Sequence, residues 1–426
     1  DKSPNFGNGE NMNYLRICRY LYAKRFWNEI ILLVQLVFML IFAFTVLNPI
    51  DEFLQKKQKI VNSYDIDFDE ALHFNMGNFV YEYQQQHYGE NSLTDDIYEK
   101  IIETEGVGLV FQSGTETINY NTNKTDDAGN AVYSNALSFM YNDEMAHNVN
   151  FKLKSGKISY DVDGGIPILV SEILERELPV GTQTEVFDMD GKAVKCVVTG
   201  VLKKNEALPL INSYGSSESL GTLGVIPENS GCNRYMVMYD LKKDMDFEVD
   251  LGAKFIVLPE SGYDRQKLKE GLEESVGDYG YVEATDLILK NSFMNMLREN
   301  AKYIIAFVMI AAIAVFGYGG YMYLMIVQHQ KEFGIFYILG MSRKKMISVI
   351  FFSGLLLLVI AFLITFFSIN VVMEKVFGLY NYQTGIFSYI FCAVIMGLIL
   401  LTSVFVGFGQ SKKLAEIAVY NGNEGE

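Results

Sequence analysis

The chain has 426 residues, with 51 Asp and Glu against 35 Lys and Arg, a formal net charge of −16, and half of its residues are hydrophobic. That apolar material lies in a few long runs with the charges elsewhere, so no average over the chain describes it. The acidic balance excludes a nucleic-acid partner, because neutralising phosphates needs a basic face.

In chain order, residues 1–29 are read as a cytoplasmic segment. Within it Leu15, Ile17, Cys18, Leu21 and Tyr22 alternate with Arg16, Arg19, Lys24 and Arg25, the pattern of an amphipathic helix lying on the inner leaflet. Residues 30–47 form the first of four charge-free runs long enough to cross a hydrocarbon core, which needs about 20 apolar residues at helical rise. The others are 303–327, 346–373 and 386–408. Leu47-Asn-Pro-Ile-Asp-Glu52 offers no small-x-small cleavage site, so the first run is expected to be a retained anchor and not a signal peptide.

Residues 48–300 are read as an extracytoplasmic α+β domain on two stalk helices. Asp51–Tyr64 continues the first span in helical style, and Thr285–Asn300 runs without Gly or Pro into the second. Between them, Val107–Gln112 and Ala131–Phe139 read as strands, Thr122–Asn130 as a polar loop and Ile166–Leu178 as a helix. Thr184–Phe187 and Ala193–Leu202 flank Asp188-Met-Asp-Gly191, a hairpin signal. Lys254–Leu258, Tyr263–Val276 and Gly280–Glu283 suit a compact βαβ element.

The 328–345 loop between the second and third spans is cytoplasmic, the short loop at 374–385 is external, and 409–426 is a cytoplasmic tail. This orientation follows from Lys and Arg, which collect on the cytoplasmic side. Lys2, Arg16, Arg19, Lys24, Arg25, Lys331, Arg343, Lys344, Lys345, Lys412 and Lys413 fall on one side, against Lys375 in the short loop on the other. The external segment 51–298 holds 22 basic and 42 acidic residues, a net of −20. Such a surface either steers a cationic ligand or is simply solvated.

Several chemistries are missing. No G-x-x-x-x-G-K-[ST] occurs, so ATP, if it powers the protein, is hydrolysed on another chain. His73, His87, His147 and His329 are scattered, with no metal or hydrolase motif around them. Asp65, Asp67 and Asp69 begin like a calcium loop, but Glu70 and Met76 stand where the turn Gly and the bidentate Glu belong. The spans hold no acid or base for a proton relay, which argues against a secondary transporter. Gly317, Gly319 and Gly320 let another helix approach closely, either in a dimer or within the chain. Cys196 and Cys232 lie on the oxidising side and could bridge if their Cα atoms come within about 7 Å.

Gln330-Lys-Glu-Phe-Gly-Ile-Phe-Tyr-Ile-Leu-Gly-Met-Ser-Arg-Lys-Lys-Met346 resembles the coupling segment of MacB/FtsX-type (type VII) ABC permeases, at Glu332, Gly334, Ile335, Leu339, Gly340, Ser342 and Arg343. Ile166–Lys203 resembles the core of the MacB-type periplasmic domain. The resemblance implies a four-span bacterial cell-membrane permease with both termini inside and its ATPase on a separate chain. It binds no cofactor itself, and ATP and Mg2+ sit on a cytoplasmic ATPase dimer. A second permease, identical or related, completes the complex.

The coupling segment, with Phe333, Phe336, Tyr337 and Ile338 exposed to the cytosol, would dock into the ATPase; the alternative is that it lies on lipid headgroups. The work implied is mechanotransmission that exports or extracts a peptide, lipoprotein or amphipathic antimicrobial compound. Activation of a cell-wall hydrolase without cargo is the alternative, and a ligand sensor comes last because no cytoplasmic stretch is long enough for a domain.

Overall fold

The computed structural model describes residues 26–77, 92–126, 128–160, 162–163, 165–187, 191–211, 220–239, 254–338, 341–376 and 385–423. All but the last two residues of the helix expected at 13–27 lie outside them. The chain forms two units, one of Asp1–Glu52 with Met296–Glu426 and one of Phe53–Asn295.

In chain order the elements are α1 (Phe26–Ser63), β1 (Leu72–Met76), α2 (Ser92–Ile102), β2 (Val107–Phe111), β3 (Ser113–Thr125), β4 (Ala131–Tyr141), α3 (Asp143–His147), β5 (Leu153–Gly156) and β6 (Ile166–Val170). Then come β7 (Gln183–Phe187), β8 (Ala193–Leu202), β9 (Leu208–Pro209), β10 (Gly224–Val225), β11 (Tyr235–Met238), β12 (Phe255–Pro259), α4 (Arg265–Val276) and β13 (Gly280–Ala284). The chain closes with α5 (Thr285–Gln328), α6 (Gln330–Ile338), α7 (Arg343–Lys375) and α8 (Ile386–Asn423).

Helices α1, α5, α7 and α8 are long and apolar enough to cross a membrane. Charge-free runs of good helix formers make them, and where a cap is visible it is local: the Ser342 side chain accepts from the Lys345 amide and starts α7. Pro49 sits inside α1, where it withdraws one amide donor from the helix. The helical unit packs Leu36, Leu40 and Phe44 of α1 with Tyr318 and Ile326 of α5, Leu358 of α7 and Ile399 of α8.

The α/β unit contains two sheets of its own. Strands β13, β1, β12 and β2 lie side by side in that order, with every neighbouring pair antiparallel. With α2 between β1 and β2 and α4 between β12 and β13, this is a βαββαβ sandwich of ferredoxin-like topology. The expected β12-α4-β13 element is present, with β1 lodged between its two strands. Leu72, Phe74, Phe255 and Val257 pack from one sheet face against Ile97, Ile101, Leu268 and Leu272 of the helices.

Everything from β3 to β11 is inserted between β2 and β12. There β8, β6, β11, β4, β3 and β7 pair in sequence, and β7 pairs back to β8, closing a six-stranded barrel with β5 added outside β8. The β7–β8 hairpin is the one the Asp188–Gly191 signal predicted. Alternation is strict on β4, β6 and β11: Ala136, Met140, Ile166, Ile168, Val170, Met236 and Met238 fill the interior. Phe139, Tyr141, Leu169, Tyr235 and Val237 point outward into a second apolar cluster with Ile60 and Tyr64 of α1.

Two local expectations are corrected. Ile166–Leu178 is not a helix; it is strand β6 followed by a short 3₁₀ turn at Leu174–Arg176. Every residue of β6 is buried, because it is a middle strand with apolar clusters on both faces, and its continuous apolar run therefore hides the period of two. The loop expected from Thr122 is strand as far as Thr125.

Candidate functional site

The segment between the second and third membrane helices is the site to which the sequence points. His329 separates α5 from α6, yet the backbone bonds run straight through it: its amide donates to the Met325 carbonyl (3.1 Å) and its carbonyl accepts from the Phe333 amide (2.9 Å). The His329 side chain is buried at 4% exposure, and its Nδ1 lies 3.4 Å from Glu332 Oε1. Neither ring nitrogen makes a hydrogen bond. One turn on, Phe333 is 1% exposed and joins the core of the helical unit. Helix α6 packs along α8.

This arrangement corrects the expectation that Phe333 faces outward for docking. Residues two apart on a helix are about 200° apart, so burying Phe333 turns Ile335 outward, and Ile335 is 55% exposed. Gly334 faces open space, where an added Cβ would meet nothing. Phe336 lies within α6, while Leu339 and Gly340 fall outside the described residues. Ser342 is the cap of α7, and Arg343, Lys344 and Lys345 are exposed beside it. Glu332, Ile335, Ser342 and Arg343 are thus at this segment, but Glu332 turns back toward the chain's own buried histidine.

The three span glycines divide. A Cβ on Gly317 would lie 3.5 Å from Gln35 Nε2 of α1, one on Gly319 would lie 3.6 Å from Thr402 Cβ of α8, and one on Gly320 would meet nothing. Gly319 therefore packs within the chain, whereas Gly317 is exposed beside Gln35 and Gly320 faces outward. The close approach that does demand glycine is Gly354 of α7, where a Cβ would overlap Tyr318 Oη. Gly385 is a second, since its Cβ would overlap the Asp51 carboxylate.

Asp51 was not singled out by the sequence. At 3% exposure, its carboxylate accepts from the Phe387 (3.2 Å) and Ser388 (3.1 Å) amides and from the Ser388 hydroxyl, capping α8 from another helix.

In the α/β unit, Cys196 and Cys232 are both free thiols. Their bridge is corrected: Cys196 is sealed inside the barrel, whereas Cys232 packs against the cluster outside it. Burial pushes the Cys196 thiol up to about 12 and raises that of Cys232 as well. His73 is fully buried, and desolvation together with the Lys254 charge brings it down to about 3, so its imidazole is neutral. A cleft of about 500 Å³ carries Lys154, Arg176, Lys204, Glu172, Glu175 and Glu228 on its walls. Lys154 is tied to Glu172 (2.7 Å) and Glu175 (2.8 Å). Asp67 uses its carboxylate on the Asp69 amide, as an acidic turn does. Among the described residues no group of three or more His, Cys, Asp or Glu is placed to hold a metal.

Residues 304–419 match the FtsX-like permease C-terminal family, a span that takes in α5 from Ile304 onward, α6, α7 and most of α8. No curated protein matches the chain. Among solved structures, the periplasmic region of MacB from Actinobacillus actinomycetemcomitans is 12% identical, with 54% of this chain and 94% of that one covered and a TM-score of 0.31. The extracellular domain of the noncanonical ABC-type transporter YknZ from Gram-positive bacteria is 13% identical, covering 50% and 97%, with a TM-score of 0.28. A permease domain from Porphyromonas gingivalis is 13% identical, covering 50% and 85%, with a TM-score of 0.27. At these TM-scores the structural likenesses carry no argument by themselves.

Proposed function

We propose that this chain, whose residues 304–419 are an FtsX-like permease C-terminal domain, is the membrane subunit of an ABC-type complex whose ATPase is a separate polypeptide. The observation that carries the reading is the coincidence of that family match with four membrane-length helices and a short helix, α6, in the loop between the second and third. ATP and Mg2+ belong to the partner, which fits a chain without a phosphate-binding loop. The chain works as a dimer with itself or a related permease, and both termini and α6 face the cytoplasm.

In this reading ATP binding closes the ATPase pair and displaces α6. In this reading α1 and α5 carry the displacement away from α6. The cargo class is a peptide, a lipoprotein or an amphipathic antimicrobial compound moved outward or out of the bilayer.

The test is co-purification in mild detergent, comparing the wild-type chain with an Ile335→Asp, Arg343→Glu variant, followed by an ATPase assay. Wild type is expected to bring down an ATPase and the variant to lose it. If no ATPase accompanies the wild-type chain, the assignment fails. A cell-wall hydrolase that is retained and stimulated, with no cargo moved, would replace the transport reading by the activator reading.

A further inference from the structure

The cleft of about 500 Å³ in the α/β unit plays no part in the reading above. Its walls come from the residues that follow β6 and β8 and from just before β11. The register, with Val170 opposite both Val201 and Met236, brings those three strand ends to one mouth of the barrel. Lys154 of β5 and Glu228, on a 3₁₀ turn at Pro227–Ser230, complete it. The volume suits a small ligand, and barrel mouths are common places for one. Such pockets are mostly apolar, whereas this one is walled by three cations and three carboxylates, so the ligand it suits carries charge of its own.

The six charges are not all used. Lys154 is held by Glu172 and Glu175, and the Glu172 carboxyl lies below its ordinary range chiefly through Lys154, with Lys204 adding to the effect. Arg176 and Lys204 are themselves exposed and form no salt bridge among the described residues. Glu228 is half used. Its Oε1 accepts from the Tyr235 hydroxyl (2.9 Å) and the Asn205 amide (3.2 Å), whereas its Oε2 is buried with no hydrogen-bond partner. Asn205 makes that contact from a φ of 59°, a left-handed conformation uncommon outside glycine. A carboxylate oxygen out of water and without a donor is costly, so the cleft calls for one. Ile173 adds an apolar surface to the same wall, 49% exposed.

We propose that this cleft binds a short zwitterionic peptide: its ammonium donates to Glu228, its carboxylate lies on Arg176 and Lys204, and an apolar side chain packs on Ile173. A purely cationic ligand, which the net charge of −20 on residues 51–298 would attract, leaves Arg176 and Lys204 unanswered. A simple anion leaves the Glu228 oxygen unanswered. The planar fork of Arg176 matches a carboxylate, which a lone ammonium does less well. That the bound peptide is cargo rests on the permease reading; the site itself does not.

The experiment titrates the full chain, in detergent and without any ATPase, with alanyl-leucyl-alanine and with its N-acetylated and C-amidated forms, read by calorimetry. The free tripeptide should bind, and either modification should weaken binding by roughly tenfold or more, the worth of a hydrogen bond to a charged group. Glu228→Gln should remove most of the penalty for acetylation alone. An Arg176→Ala, Lys204→Ala variant, which changes two exposed side chains and should keep the wild-type melting temperature, should remove most of the penalty for amidation alone. No binding of the free tripeptide at millimolar concentration, equal binding of all three forms, or an unaltered amidation penalty in the Arg176, Lys204 variant overturns the proposal, even if Glu228→Gln fails to fold. Tighter binding of glycerophosphoethanolamine, which carries both charges without an apolar side chain, overturns the peptide assignment in favour of a lipid headgroup. Because no ATPase is present, each of these failures leaves the permease reading standing, and failure to co-purify an ATPase leaves the site standing.

Discussion

The two units of the molecule solve burial in opposite ways. In the barrel of the α/β unit, apolar side chains alternate inward and the outward ones are covered again by a second cluster, as water requires. In the helical unit, Phe316 of α5 is 79% exposed, and Phe405 and Phe367 are similarly bare. A hydrocarbon solvent makes such exposure cost nothing, so in that unit it is the polar groups that must be accounted for. Asp51 and His329 are the two whose surroundings say most.

The comparison breaks most sharply on large-to-small changes. Ile168→Ala, inside the barrel, should destabilise the α/β unit by about 2–5 kcal/mol, seen as a lower midpoint in denaturant. Phe316→Ala should leave the detergent-solubilised chain's melting temperature within a degree or two of wild type, because it leaves no cavity. An equal loss from both would mean that Phe316 is buried against another chain.

Next in size is Asp51→Ala, which removes the cap from α8 and should cost about 1–2 kcal/mol, with Asp51→Ser retaining part of it. Thermal unfolding in a fixed detergent reads the difference. Gly354→Ala should also destabilise the helical unit, whereas Gly317→Ala and Gly319→Ala, at ordinary contact distance, should change stability by no more than about 0.5 kcal/mol.

Acid sharpens the contrast from the other side. His73 is held neutral in the fold, with its pKa near 3 against 6.5 unfolded, so the unfolded chain binds the extra proton. The stability of the α/β unit should therefore fall as pH drops from 6.5 toward 3, and this component should vanish in His73→Leu. Smallest in effect is thiol chemistry: under native conditions a maleimide should label Cys232 and spare Cys196, with reversal of that order arguing against the closed barrel.

Some of this was legible in residue order and some was not. The hairpin at Asp188–Gly191 and the β12-α4-β13 element were readable because turn chemistry and period change are local. Strand β6 was not, since burial on two faces erases the alternation that marks a strand. The outward assignment of Phe333 failed for a related reason: an apolar stretch such as Phe333–Ile338 has no polar side to show which way it faces. Cys196 and Cys232 are equally suggestive in sequence, yet a barrel wall puts them in different cores.

The sequence by itself determined what depends on neighbours along the chain: four charge-free spans, the charge segregation around them, the absence of a phosphate loop and the segment between spans two and three. Tertiary structure alone decided what depends on residues distant in order and close in space. The insertion of a barrel into a βαββαβ sheet, the Asp51 cap on a helix that starts 335 positions later, and the turning of Glu332 toward a buried His329 are of that kind. Helix-forming tendency and hydropathy act over a few residues, whereas sheet closure, capping in trans and the facing of a helix are settled only when the whole unit packs.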